Sequence, residues 1–173
     1  MNKAKTHLIA VAVATVLLSA CNQQPDPAKV REDVAKAQAD GQKGIADAQA
    51  ELQKAKAEAQ ADVQKTQADA NADAAEATTD AQKGDSTAPA EASRDNADNM
   101  GEARSDANEK VADAQYDLDK AQAEADYKVA KAQCGSQTGD AQKACEDQAK
   151  AKYDSAISAA KSKNDQAHQR NPG

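Results

Sequence analysis

The chain has 173 residues, a net charge of −7 and an aromatic content of 2%, with no Phe and no Trp. An acidic chain has no general attraction for nucleic acid, and three tyrosines are the only aromatic residues that it could offer for stacking on bases. A quarter of the residues are alanine, and bulky apolar residues are too sparse to close a globular core. The composition leaves long helices or a coiled coil, with disorder as the alternative.

The first twenty residues have the organisation of a secretory signal peptide. Lys3 and Lys5 form a basic start, and Leu8 to Leu18 is an apolar run interrupted only by Thr15. This run is shorter than the roughly 20 apolar residues that a membrane-spanning helix needs. A basic start, a short apolar stretch and a small-residue exit are typical of a cleaved leader. We therefore predict a signal peptide over residues 1–20.

The exit of this segment, Leu18-Ser19-Ala20-Cys21, resembles the lipobox of bacterial lipoproteins. The resemblance implies cleavage between Ala20 and Cys21, a diacylglycerol thioether on Cys21 and acylation of the new amino terminus, with palmitate expected. Several acyl chains anchor a protein stably, whereas one binds reversibly. Asn22 stands where lipoproteins kept at the inner membrane usually have Asp, so the resemblance implies an outer-membrane anchor facing the periplasm of a Gram-negative bacterium. An ordinary signal peptide is the alternative.

An eleven-residue repeat runs through the mature chain. Its blocks begin in one frame at Ala35, Ala46, Ala57, Ala68, Ala112 and Ala123. Eleven residues make three helical turns, which predicts long, nearly straight helices of coiled-coil type. One narrow stripe follows the repeat and consists of Gly41, Ala48, Leu52, Ala55, Ala59, Val63, Ala70, Ala74, Ala107, Ala114, Leu118, Ala121, Ala125 and Val129. Because alanines bury little area, we expect weak association through this stripe, either with another copy or with a partner, or else a solvated helix.

Capping and breaking residues predict the element boundaries. Asp26-Pro27 is a favourable helix start. Gly84 and the segment GDSTAP end this helix, and Ser86 or Thr87 can cap the next one. The predicted elements are a lipidated linker (21–26), a first long helix (27–84), a second long helix (85–133), a turn (134–139), a third helix (140–168) capped by Asp140, and a flexible tail (169–173). At about 1.5 Å per residue the two long helices would measure roughly 85 Å and 70 Å, lengths that suit a spacer.

Two tyrosines predict where the third helix packs. Tyr116 and Tyr127 share one repeat position, at which the first half of the chain has alanine. We therefore expect a helix against this face in the C-terminal half only. The apolar stripe of that helix would be Ala141, Ala144, Cys145, Ala149, Tyr153, Ala156, Ile157 and Ala160. The charges are consistent with packing of the third helix on the second. Residues 85–133 hold twelve acids and six bases, whereas residues 140–170 hold five acids and six bases.

Cys134 and Cys145 lie one repeat apart. On an unbroken helix they would be about 16 Å apart, beyond the roughly 6 Å that a disulfide spans. Gly135 and Gly139 permit a turn between them. A metal site would need more ligands, and a redox pair is usually C-x-x-C. Since the lipobox implies an oxidising periplasm, we predict a Cys134–Cys145 disulfide that staples an αα-hairpin.

The mature chain has no combination of residues that indicates catalysis. Its only histidine, His168, is expected to be solvated near the chain end. A zinc site or a nucleophile–base pair would need a second histidine, and no glycine-rich phosphate loop is present. We predict that the protein is not an enzyme and uses no cofactor or metal.

Three resemblances bear on function. The second half is similar to small alanine-rich exported proteins of the TolA-like envelope type, through Tyr127-Lys128-Val129-Ala130, Cys134, Gly139-Asp140-Ala141, Cys145 and Ala149-Lys150-Ala151. That family implies no activity. The repeats resemble those of late-embryogenesis-abundant stress proteins, which are disordered in water and helical when dried. The Braun-type lipoprotein is a further analogue, but this chain lacks its wall-linking C-terminal lysine.

These observations predict an all-α fold of long extended helices that ends in a disulfide-stapled αα-hairpin and has no globular core. The expected function is that of a structural spacer or tether in the cell envelope, which projects the hairpin into the periplasm. The expected partners are the lipid bilayer through acylated Cys21, peptidoglycan or envelope proteins, and further copies of the chain. A stress or desiccation protectant is the alternative.

Overall fold

The computed structural model describes residues 25–170, which form three α-helices and no strand. These are α1 (Pro27–Lys83), α2 (Ala88–Cys134) and α3 (Gly139–Arg170). The predicted all-α class and the disulfide-linked hairpin are confirmed. The predicted signal peptide, Ala20 and Cys21 lie outside the described residues. Residues 169 and 170, which were expected in a flexible tail, belong to the last turn of α3.

α1 begins and ends at the predicted capping residues. The Asp26 carboxylate accepts a hydrogen bond from the Ala28 amide at 2.8 Å, and Pro27 opens the first turn, where its missing N–H is not needed. Gly84 ends the helix with a φ of 113°, a left-handed conformation that residues with a Cβ atom rarely adopt. The amides of Gly84 and Asp85 donate hydrogen bonds to the carbonyls of Ala81 and Asp80 in the last turn of α1.

The short segment between α1 and α2 reverses the chain. Thr87 stands at the start of α2, but its hydroxyl does not cap the helix, unlike the prediction. Instead the Asp85 carboxylate accepts hydrogen bonds from the hydroxyl and the amide of Thr87, at 2.8 and 3.0 Å. The hydroxyl's hydrogen bond and then the amide's stabilise the charged carboxylate and lower the pKa of Asp85. Asp85 therefore organises the turn, and α2 starts at Ala88 rather than at residue 85.

α1 lies antiparallel against α2, an arrangement that the sequence did not predict. Val30 near the start of α1 approaches Gly135, directly after α2. Towards the other end, the Asn96 side-chain amide donates a hydrogen bond to the Ala70 carbonyl at 2.9 Å. The predicted stripe forms the interface, and its buried members are Gly41, Leu52, Ala55, Ala59, Ala70, Leu118 and Ala125. Ala74 is the one exposed residue of that stripe.

Gly41 lies where the backbones of α1 and α2 approach closely. A Cβ atom at this position would be 2.7 Å from the Cβ of Ala125, which is too close for two carbon atoms. Gly41 therefore allows a shorter distance between the two helices than alanine would. In a closely packed interface, one extra methyl group forces its neighbours to move. Across the same helix pair, Lys110 Nζ lies 2.9 Å from the Asp62 carboxylate. That ion pair is exposed, so it contributes little to stability.

α3 lies antiparallel on the tyrosine face of α2, as predicted. The rings of Tyr127 and Tyr153 have centroids 5.3 Å apart and planes tilted by 37°, a favourable geometry for two aromatic side chains. Within the predicted stripe of α3, Ala149 and Ala160 are buried, Cys145, Tyr153 and Ile157 are half-buried, and Ala141, Ala144 and Ala156 are exposed. α3 begins at Gly139, so the predicted cap, Asp140, lies inside its first turn.

The molecule is a rod in which α2 is the central helix, because no Cα atom of α1 lies within 8 Å of one in α3. We call residues 27–57 and 109–170 the three-helix end, and residues 58–108 the two-helix half. Eight of the eleven buried apolar residues in the described chain are alanines, and none of its polar residues is buried. The helices therefore meet along thin seams without a globular core, as predicted.

Candidate functional site

The disulfide closes the α2–α3 hairpin at one tip of the rod. Cys134 is the last residue of α2 and is fully buried, whereas Cys145 lies in the second turn of α3. Their Cα atoms are 5.6 Å apart, within the range of an ordinary disulfide. The predicted pairing of Cys134 with Cys145 is therefore confirmed. Because Val30 packs near Gly135, the start of α1 lies at this same tip.

The other end of the α2–α3 interface is held by polar side chains. Lys163 Nζ lies 3.0 Å from the Asp119 carboxylate, and Asn164 donates a hydrogen bond to Asp113 at 2.9 Å. His168 Nε2 lies 2.8 Å from Asp113 Oδ1. His168 was expected to be solvated, but the structure places it against α2, with 40% of its side chain exposed.

The charges of His168 and its partners favour one another. The hydrogen bond to Asp113, and then the nearby charges of Asp113 and Glu109, raise the pKa of His168. Glu109 Oε2 lies 3.4 Å from His168 Nδ1. Partial burial by itself would raise the pKa of Asp113, but the hydrogen bonds from Asn164 and His168 outweigh it and lower that pKa. This cluster therefore holds the end of α3 most firmly when the histidine is protonated and Asp113 is ionised.

The predicted disulfide offered a way to find this cluster from the sequence, because it sets the register of α3 against α2. Cys134 faces Cys145, and the two helices run antiparallel. Asp113 precedes Cys134 by 21 residues, and His168 follows Cys145 by 23 residues, so the two must lie at nearly the same height. The predicted hairpin thus contained the register that brings His168 to Asp113. Without that register, His168 is only a histidine near the chain end.

An open groove of about 530 Å³ runs over α2 beside this cluster. The residues that line it include the apolar Val111 and Ala160 and the basic Lys56, Lys163 and Arg170. The groove is open to solvent, unlike the enclosed clefts that bury most of a small substrate. Within residues 25–170, no group of three or more His, Cys, Asp or Glu side chains is placed to hold a metal ion. The described helices also include none that is long and apolar enough to cross a bilayer.

Comparison of the chain with protein-family models, with curated proteins and with solved structures gave no match. The function proposed below therefore depends on the sequence motifs and the geometry of this chain.

Proposed function

We propose that the protein is an outer-membrane lipoprotein that acts as a spacer or tether in the periplasm. The observation that carries this proposal is a rod with its first described residues at one tip. α1 has 57 residues, which corresponds to a length of about 85 Å. Cys21 precedes Pro25 by four residues, a span of at most about 14 Å. An acylated Cys21 would therefore hold the rod by its tip, which is the arrangement that a spacer requires.

The folded-back α1 changes the geometry of this spacer. Because α1 and α2 run antiparallel, the reach is the length of one helix, about 85 Å, and not the sum of two. The outer tip of the rod is then the turn between α1 and α2, around Asp85 and Ser86. The disulfide tip, expected from the sequence to project into the periplasm, lies on the anchored side. Contacts with peptidoglycan or an envelope protein would be made by the two-helix half.

A stress protectant is the second candidate function, and the thinness of the helix interfaces favours it. With alanine as the main buried residue, burial contributes little, since each Å² of apolar area is worth only about 25 cal/mol. Circular dichroism of the chain without its leader separates the two functions. A spacer is helical in dilute buffer, whereas a protectant of the late-embryogenesis-abundant type is a coil there and becomes helical on drying.

The lipid anchor is tested by Cys21→Ala in the full-length chain, expressed in a Gram-negative host. We expect the variant to leave the membrane fraction or to remain unprocessed, and we expect the N-terminal peptide of the parent protein to carry the mass of a diacylglycerol and an acyl chain. The Cys134→Ala/Cys145→Ala variant is the matched control and should stay in the membrane fraction. A Cys21→Ala protein that is processed and stays membrane-bound would contradict the lipoprotein proposal.

A further inference from the structure

The net charge of the mature chain is concentrated in one half of the rod. After residue 20 the chain carries −9, and residues 58–108 account for −8 of it, with twelve acids and four bases. The remaining residues of the mature chain carry only −1. In the sequence alone this acidic stretch lies in the middle of the chain. The fold brings it to the half of the rod that is remote from the start of α1.

The distribution of charge and the position of the start of α1 both affect how an anchored rod would meet a lipid surface. The three-helix end is nearly neutral and lies next to the start of α1, and the two-helix half is strongly anionic and begins about 45 Å away. Attachment at one tip does not by itself set an angle between a rod and a bilayer. Something else must decide whether an anchored rod stands up or lies on the membrane.

We infer that the charge distribution makes the anchored rod stand away from an anionic bilayer, with the two-helix half outermost. This inference rests on the proposed lipid anchor at Cys21. A rod that lies flat would bring the net charge of the two-helix half within the screening length of the lipid head groups, about 8 Å at physiological salt. A rod that stands holds the same charges tens of ångströms from the head groups, where salt screens them. The negative surface potential of anionic lipids therefore disfavours only the flat orientation.

The nearly neutral three-helix end is a necessary part of this arrangement. Near the anchor, acids and bases are balanced, so the end that must stay close to the membrane is not repelled from it. A uniformly acidic rod would be repelled along its whole length. A rod with a basic outer half would be drawn down onto the head groups. The observed distribution of charge keeps the outer tip away from the membrane and permits contact between the membrane and the anchored tip.

The experiment measures the height of the outer tip above a supported bilayer. A dye is attached through Ser86→Cys, an exposed position in the α1–α2 turn, and its distance from the membrane is read by energy transfer to an acceptor in the lipid. The lipidated protein is compared on phosphatidylcholine and on phosphatidylcholine with phosphatidylglycerol. We expect the lowest tip heights, which come from rods that lie flat, to be depleted on the anionic bilayer, so that the mean height is greater there by roughly a quarter. In 1 M salt, where the screening length is about 3 Å, the mean height should fall toward the phosphatidylcholine value.

A charge variant tests the cause. In this variant, six of the exposed acids of the two-helix half are replaced by amides. The substitutions are Asp73→Asn, Glu76→Gln, Glu91→Gln, Asp95→Asn, Asp98→Asn and Glu102→Gln. We expect this variant to lose most of the extra height on the anionic bilayer. The matched control exchanges Asp and Glu at the same six positions and keeps the charge, so it should stand as high as the parent. If the amide variant loses helix by circular dichroism, the salt titration of the parent decides alone.

A second attachment keeps this inference separate from the lipoprotein proposal. A chain in which a hexahistidine tag replaces residues 1–21 is held by the same tip on bilayers that contain nickel-chelating lipid. If Cys21 proves not to be acylated, the spacer proposal fails, but the tagged rod still shows whether its charge sets its orientation. Equal tip heights on neutral and anionic bilayers, with either attachment, would overturn the inference, as would an amide variant that stands as high as the parent.

Discussion

The three-helix end and the two-helix half derive from the same eleven-residue repeat, yet they are stabilised differently. In the three-helix end, α2 is covered on two faces, by α1 and α3, and this end contains Leu52, Leu118, the tyrosine pair and the disulfide. In the two-helix half, α2 is covered on one face only, and the buried residues there are Ala59, Ala70 and Ala77. Since stability varies locally with buried apolar area, we expect the two-helix half to open more easily.

This difference shows what a repeat of small residues can and cannot do. An alanine seam lets two helices approach closely, but it adds little free energy for each residue that is ordered. The three-helix end supplements the seam with larger side chains and a covalent link. The two-helix half is left with the seam, helix propensity and exposed ion pairs such as Lys65–Asp69, at 2.7 Å.

The largest effect is expected from removal of the disulfide. The Cys134→Ala/Cys145→Ala variant should lose about 2–3 kcal/mol of stability in α3, because closing a loop of this length lowers the entropy of the unfolded chain. Hydrogen exchange followed by peptide should show amides of α3 exchanging roughly 100-fold faster. Amides of the two-helix half should change by only a few-fold. The same variant treated with a thiol reductant is the control and should show no further change. Equal acceleration in both regions would contradict the comparison.

Truncation of one large side chain in each region should give unequal losses. Leu118→Ala, at a position only 7% exposed, should cost about 2 kcal/mol, near the low end for a buried leucine because its surroundings are mostly alanine. Met100→Ala in the two-helix half should cost under about 1 kcal/mol, since Met100 is only half-buried. Urea unfolding followed by circular dichroism measures both. Losses of the same size at the two positions would show that the regions do not differ in packing.

Substitutions at three glycines distinguish the effect of close helix contact on stability from the effect of helix propensity. Gly41→Ala should destabilise the protein by roughly 1 kcal/mol, because the clash with Ala125 exceeds the gain in helix propensity. Gly44 and Gly101 have open space where a Cβ atom would lie, so Gly44→Ala and Gly101→Ala should each stabilise their helix by up to about 1 kcal/mol. Thermal unfolding of the three variants compares the three-helix end with the two-helix half. A stabilising Gly41→Ala would mean that α1 and α2 are not in close contact there.

The helices, the buried stripe and the disulfide were predictable because each depends on local pattern. The repeat places Leu52, Ala55 and Ala59 on one face of a helix, whatever that face contacts. The same pattern could not show that this face contacts α2 of the same chain, because a stripe of small residues fits equally well against another copy or a partner. That choice depends on the turn, where Asp85 binds Thr87 and the chain reverses. In the candidate site, the disulfide was predicted. The contact of His168 with Asp113 was not, because the two lie 55 residues apart and meet only in the register that the disulfide sets.

The smallest expected effect is a dependence of the end of α3 on pH. The pKa of His168 is raised in the folded protein, so its contribution is fully present below its pKa in the unfolded chain and is lost as pH rises through the folded value. The pKa of Asp113 is lowered, so its contribution is present above its unfolded value and is lost as pH falls through the folded one. The last turns of α3 should therefore be most stable in mildly acidic solution.

Amide exchange in the last turns of α3, corrected for its intrinsic dependence on pH, measures this effect. When the pH is raised from mildly acidic to mildly alkaline, we expect these amides to exchange a few-fold faster. The corrected exchange rates of amides near Cys145 and in the two-helix half should stay unchanged. In His168→Gln the pH dependence should disappear. Lys163→Gln is the matched control, because it removes the neighbouring ion pair with Asp119 and should weaken the same turns without removing their response to pH. A response that persists in His168→Gln would assign it to a group other than the histidine, and the polar end of α3 would then resemble the rest of the rod, where exposed charges contribute little.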